Sequence, residues 1–322
     1  MTSNEAGVAR SSSELREAVL ICNAKSRRGR EWFPRAKECL KQSRLKLLEA
    51  HDLRDPSKMR QLVKKAVADE VPLIVIGGGD GSMSATASLL KGSKSVLGVL
   101  PLGTGNAFAR DLGIPSDVEG ACDILARGII SPVDLGRIGN RHFVNVATIG
   151  LTTRIAEALT DEGKKRFGRL VYVGAILKAA VGLRPFRATV STDDGATHVF
   201  DTMQLVFGSG RYHAGPFPVT PDAEITDHLI HGYALKGTNK ASFVRLFLNL
   251  WRGHHVVLSE VETFSFKNAR VETKPKRRFV VDGEIGERAP VDVSIDPAAI
   301  RVVVSPEFPG SQRLPEVSAT HS

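Results

Sequence analysis

The chain has 322 residues, which exceeds one small module and favours two cores, and its 42% hydrophobic and 25% charged residues exclude general disorder. Lys and Arg outnumber Asp and Glu by 44 to 35, a net charge of +9 that suits nucleotide phosphate, nucleic acid or an acidic membrane surface. Aromatic residues are only 6% and no basic run interleaves with them, so nucleic acid is set aside as a partner.

Residues 1–16 are polar and read as a disordered tail without the apolar core of a secretory signal. Residues 18–22 (AVLIC) form a short apolar strand, and the amphipathic stretch 32–48 predicts a helix. A second helix over 59–68 leads into a strand at 72–76 and the run Gly77-Gly78-Gly79-Asp80-Gly81-Ser82, after which 83–90 reads as helix. The strand 96–100 leads into Pro101-Leu102-Gly103-Thr104-Gly105-Asn106, and the helix 107–112 stops at Gly113-Ile114-Pro115. Alternating strands and helices predict a Rossmann-like parallel α/β domain over 17–134.

Beyond residues 133–136 the texture changes to short alternating runs at 187–192, 197–207, 261–266, 277–281, 291–295 and 300–304. They predict an antiparallel, β-rich second domain over 135–308, interrupted by helices at 166–180 and 240–253. The run 300–304 is a candidate to rejoin the first sheet, and 309–322 reads as a disordered tail. The longest apolar stretch, 170–183, is broken by Lys178 and falls short of the roughly 18 residues that a membrane span needs. Cys22, Cys39 and Cys122 are too few and too scattered for a disulfide framework or zinc spacing, which fits a reducing cytoplasm.

In an open parallel sheet, ligands collect beyond the carboxyl ends of the strands. The loop from Gly77 to Ser82 lets backbone amides approach a phosphate, and a second glycine loop adds Thr104 and Asn106 as polar groups. The first loop lacks the Gly-Lys-Ser/Thr ending of a P-loop, and no Gly-x-Gly-x-x-Gly with a downstream ribose acid follows the first strand. Asp80, an acid among phosphate-binding glycines, needs a cation or a proton to handle, and is otherwise an ordinary turn aspartate. His228 and His231 beside Asp227, and the pair His254-His255, lack a third ligand at fixed spacing and read as surface or capping histidines.

GGGDGS at 77–82, PLGTGNAFARDLGIP at 101–115, VDLGRI at 133–138, FVNVATIG at 143–150 and VDGE at 281–284 together resemble the bacterial diacylglycerol kinase-type lipid kinases, over residues 18–304. The resemblance implies a fold like that of NAD kinase and the lipid kinases, and an ATP- and Mg2+-dependent transfer of the γ-phosphate to a lipid hydroxyl, with diacylglycerol as the acceptor. It also implies nucleotide contacts from Asn23, Ser26 and Arg28 in the first turn, from Gly77, Gly78, Gly79, Asp80, Gly81 and Ser82, from Gly103, Thr104 and Asn106, and from Asp282. Glu284 is implied as the general base, and Asp80 and Asp227 as catalytic acids that hold metal.

The chain departs from the family pattern at Ala24, Arg27 and Ala107, and at Thr226 and His228, where the family has the first acid and the glycine of Asp-Asp-Gly. Two alternatives stand beside this reading: a kinase of another acceptor, such as a sphingoid base or more remotely NAD or a sugar phosphate, and, from the departures at Ala24, Ala107, Thr226 and His228, a nucleotide- or lipid-binding regulator without catalysis. The basic runs 164–169 and 274–278 suit peripheral contact between a cytoplasmic enzyme and an anionic membrane surface, and a homodimer is left open.

Overall fold

The computed structural model describes residues 12, 15–25, 27–43, 45–150, 184–214, 217–220, 222–236 and 261–309. These fall into two compact units, one holding the described residues up to Val133, Ile225–Asp227 and those from Ala298 onward, the other Asp134–Glu224 and His228–Pro297.

The first unit is built on strands β1 (Glu17–Asn23), β2 (Lys46–Leu53), β3 (Leu73–Gly78) and β4 (Val96–Pro101), parallel and in the order β4-β3-β1-β2. β3 and β4 are buried along their whole length and β1 throughout its interior, as continuous apolar strands covered on both faces must be. The helices are α1 (Arg27–Gln42), α2 (Met59–Ala68), α3 (Asp80–Thr86), α4 (Ala107–Asp111) and α5 (Val118–Arg127). The helix expected over 32–48 instead begins at Arg27 and stops at Gln42, where the Ser43 hydroxyl donates to Leu40 O at 2.6 Å and accepts from Leu45 N–H at 3.2 Å. The residues beyond form β2, an edge strand whose charged, half-exposed sequence hides its period. α5 corresponds to no expected element; Asp117 caps it by accepting from Gly120 N–H at 2.7 Å, and Val118, Ala121, Cys122 and Leu125 form its buried face. β5 (Ile129–Ile138) follows.

The second unit contains β6 (Arg141–Phe143), β7 (Val146–Gly150), β8 (Phe186–Thr192), β9 (Thr197–Gly208), the short pair β10 (Tyr212–Ala214) and β11 (Phe217–Pro218), β12 (Ile230–Lys236), β13 (Val261–Phe266), β14 (Asn268–Lys274), β15 (Arg278–Val281) and β16 (Glu284–Arg288). The last strand, β17 (Val291–Val304), joins the two runs expected at 291–295 and 300–304, with Ala298 at φ 47° between them. The order is β16-β15-β7-β9-β8-β14-β17, with β12 on β9 and β13 on β12, and these neighbours pair antiparallel. Strict alternation of buried and exposed residues in β14 sends Ala269, Val271 and Thr273 inward. They meet a core of Phe186, Phe200, Phe207, Phe266 and Phe279, in which Phe207 packs edge-on against Phe266 at 5.7 Å between ring centroids. In the first unit, Val302 of β17 lies parallel to Leu97 of β4. The helices expected at 166–180 and 240–253 lie outside the described residues.

Candidate active site

The carboxyl ends of β1, β3 and β4 bring the expected loops of the first unit together. Cys22 is in register with Gly77 and Gly78 with Pro101, so Asn23, the glycine run and the second loop leave the sheet side by side. Each glycine of the run has its own reason. A Cβ on Gly77 would stand 2.3 Å from Cys22 Sγ, and one on Gly78 would stand 2.3 Å from Ser82 Oγ. Gly79 lies against Gly103: a Cβ on either would come within 3.0 Å or 2.5 Å of the other's Cα. Gly81 differs, since a Cβ there would meet nothing within 4 Å. Gly79 and Gly103 thus allow the two loops to interlock, Gly77 and Gly78 pack against β1 and Ser82, and Gly81 borders open space.

The interlock is hydrogen-bonded. Asn106, at φ 49°, accepts from Gly103 N–H at 2.9 Å and donates its Nδ2 hydrogens to Gly103 O at 2.9 Å and Pro101 O at 3.3 Å, so its side chain shapes the loop from within. Asp80 Oδ1 accepts from Phe108 N–H at 3.2 Å and ties the start of α3 to the start of α4. A helix cannot satisfy its own first amides; Ser82 N–H and Met83 N–H turn back to Gly79 O at 2.9 and 3.2 Å. Thr104, in the second loop, is exposed. Arg28 donates to Gly103 O at 3.2 Å, and its guanidinium lies 4.6 Å from the Trp32 ring centroid, so a fixed positive charge stands at the second loop. The importance of Trp32 had no signal in the sequence beyond its place one turn after Arg28. Asn23 accepts from Lys25 N–H at 3.1 Å and closes the first turn. Ser26 lies outside the described residues. Burial pushes the Cys22 thiol, beneath Gly77, up to about 12.

Asp227 lies half-buried in Ile225–Asp227, the short segment that groups with the first unit. Next to it His228 occupies φ 62°, a left-handed conformation that suits glycine. Hydrogen bonds to the buried Asp134 compensate: His228 N–H donates to Oδ2 at 2.8 Å, and the ring Nδ1 lies 2.9 Å from Oδ1. Asp134, inside the VDLGRI motif, was not singled out from sequence. Among the described residues no group of three or more His, Cys, Asp or Glu side chains could hold a metal ion.

In the second unit, Asp282 and Gly283 form the two-residue turn between β15 and β16, at φ 47° and 86°, the left-handed pair of a type I′ hairpin. The Asp282 carboxylate accepts three backbone amides, Val144 at 2.9 Å, Asn145 at 3.1 Å and Val146 at 2.9 Å, and Asp282 N–H donates to Val146 O at 2.9 Å. Expected as a nucleotide ligand, Asp282 is also the clamp that fixes the hairpin on the segment joining β6 and β7. Glu284, the first residue of β16, is exposed, and one carboxylate oxygen receives Arg141 Nη2 at 2.6 Å. No sequence motif pointed to Arg141.

The first unit is thus a parallel α/β unit with two glycine loops at the carboxyl ends of its strands, and the second is an antiparallel β unit. The diacylglycerol kinase catalytic domain family matches residues 17–138, and the YegS C-terminal NAD kinase β sandwich-like domain matches 145–304. A diacylglycerol kinase of Mycobacterium tuberculosis is 31% identical over 261 residues, 79% of this chain and 82% of that one. A YegS-like lipid kinase of Klebsiella pneumoniae is 33% identical over 174 residues, 53% of this chain and 58% of that one. The crystal structure of a diacylglycerol kinase from Bacillus anthracis covers 90% of this chain and 97% of its own, with a TM-score of 0.69 at 18% identity, a likeness of fold. The chain belongs to the bacterial diacylglycerol kinase and YegS-like lipid kinase family, and it is a lipid kinase.

Proposed function

We propose that the protein transfers the γ-phosphate of ATP to the free hydroxyl of diacylglycerol, giving phosphatidic acid. The observation that carries the reading is the interlocked pair of loops, three of whose glycines pack against protein while Gly81 faces open space. That is the shape needed where phosphate oxygens come up to backbone amides. Phosphoryl transfer asks for fixed charge, alignment and a proton acceptor, and for little other covalent chemistry. Arg28, held between Trp32 and Gly103 O, supplies fixed positive charge at the nucleotide. Glu284, presented on a hairpin clamped by Asp282, accepts the proton of the lipid hydroxyl.

Mg2+ is usually held by one or two carboxylates together with the substrate's phosphates rather than by an all-protein cage. A half-exposed Asp80 beside the glycine loop fits that donor set, without a cluster of three protein ligands. Bound there, the ion would neutralise phosphate charge. Asp227, without its neighbouring acid, serves as an auxiliary group. The exposed basic residues Lys274 at the end of β14, Lys276 in the loop that follows and Arg278 at the start of β15 make the peripheral contact with anionic lipid. Among the described residues no helix is long and apolar enough to cross a membrane.

The deciding experiment is ATP consumption against a panel of diacylglycerol, sphingoid base, NAD and sugar phosphate. Phosphatidic acid formed from diacylglycerol in preference to the other products supports the reading. A preference for another acceptor keeps the kinase and moves the substrate, and no turnover with any acceptor overturns the catalytic reading.

A further inference from the structure

Two of the three cysteines, Cys39 and Cys122, line one groove. α1 and α5 lie side by side: Arg35 of α1 pairs with Glu119 of α5, and one turn further along each helix stand Cys39 and Cys122. Cys122 is buried and Cys39 half-buried. Both line a groove of about 720 Å3 whose walls include Gln42, Ser43, Asp123 and Arg127. Cys22 is buried on β1 beneath Gly77 and has no part in that groove.

We propose that Cys39 and Cys122 form an oxidisable pair, a modification site that closes to a disulfide and staples α1 to α5 when a two-electron oxidant such as hydrogen peroxide reaches the groove. The order of events follows from exposure. The sulfur of Cys39, deprotonated, attacks one peroxide oxygen; the O–O bond breaks, an S–O bond forms, and the departing hydroxide takes a proton and leaves as water. Cys122 then attacks the sulfenic sulfur of Cys39, the S–O bond breaks as the S–S bond forms, and the hydroxide released carries off the proton of Cys122 as a second water. Two thiols have lost two electrons and two protons, and one peroxide has become two waters. Burial and the neighbouring sulfur push the Cys122 thiol up, which makes it a poor first target; its part is to attack an electrophile already beside it. The bond would close a loop of roughly 80 residues, the long-loop case in which a cross-link constrains the unfolded chain most. This inference stands apart from the choice of kinase substrate.

The experiment treats the full chain with hydrogen peroxide, alkylates the remaining thiols under denaturing conditions and maps the peptides without reductant. The expected result is a Cys39–Cys122 linked peptide with Cys22 alone alkylated, reversed by dithiothreitol, and a melting temperature raised by about 5 °C or more in the linked form. Cys39→Ser and Cys122→Ser should each abolish both the link and the rise. Three alkylated cysteines, Cys39 oxidised to sulfinic acid without a link, or a link that leaves the melting temperature unchanged would each overturn the proposal.

Discussion

Gly79 and Gly81 sit two residues apart in one glycine run, the first packed against Gly103 and the second bordering open space, so substitutions there test packing and ligand binding separately. At Gly81 an added methyl meets nothing in the protein and removes backbone freedom from the start of α3, so Gly81→Ala should leave stability unchanged or raise it by about 0.5 kcal/mol. If ATP phosphate approaches there, the same methyl should weaken ATP binding about tenfold or more. Gly79→Ala pushes a methyl onto the backbone of Gly103 and should cost about 1–3 kcal/mol of stability by prising the loops apart. Calorimetric ATP titration beside thermal melts reads both quantities, and full ATP affinity in Gly81→Ala would remove the phosphate from this loop. The chemistry is tested at Glu284. Glu284→Gln keeps the size of the side chain and a contact for Arg141 but accepts no proton, so turnover should fall by about 10² to 10⁴ while ATP affinity holds. Full turnover would return the hairpin to a purely structural role.

At the scale of elements, the β15–β16 hairpin depends on one carboxylate. Asp282→Ala removes the acceptor of three backbone amides at Val144, Asn145 and Val146, and should destabilise the second unit by roughly 2–4 kcal/mol. Denaturant unfolding would measure this, and a loss below about 0.5 kcal/mol would show that water replaces the clamp. The turn itself was legible in Asp282-Gly283, because few residue pairs take two left-handed conformations in succession. Its partner was not, since nothing in a linear sequence says that residue 282 reaches residues 144–146. β1, β3 and β4 were legible because burial on both faces requires continuous apolar runs. β2 was not, because a charged edge strand of the composition KLLEAHDL shows neither alternation nor an apolar run. α5 carried a readable signal in Asp117 followed by apolar residues at 118, 121, 122 and 125, the spacing of a helix face, which the stop at Gly113-Ile114-Pro115 obscured. The glycine run was legible as a candidate site, while the different surroundings of its glycines became visible only from the contacts of each missing Cβ.

For the whole molecule, a net charge of +9 matters only where it is exposed and grouped. Where β14 turns into β15, Lys274 and Lys276 are exposed, and Arg278 reaches Gly286 O at 3.3 Å while staying exposed. A basic group near an anionic bilayer contributes about 1 kcal/mol, so Lys274→Gln with Lys276→Gln should weaken binding to phosphatidylserine vesicles by about 2 kcal/mol, roughly 30-fold. Neither side chain belongs to the glycine loops or the hairpin turn, so turnover on detergent-dispersed diacylglycerol should stay at the wild-type level. Screening acts over about 8–10 Å at 0.1–0.15 M salt, so wild-type binding should also fall steeply as salt rises, and the double variant should show a shallower slope. Vesicle sedimentation across a salt series measures both. If the two proteins bind with equal strength and equal salt dependence, the loop is a solvated surface, and whatever binding is seen must come from another part of the chain.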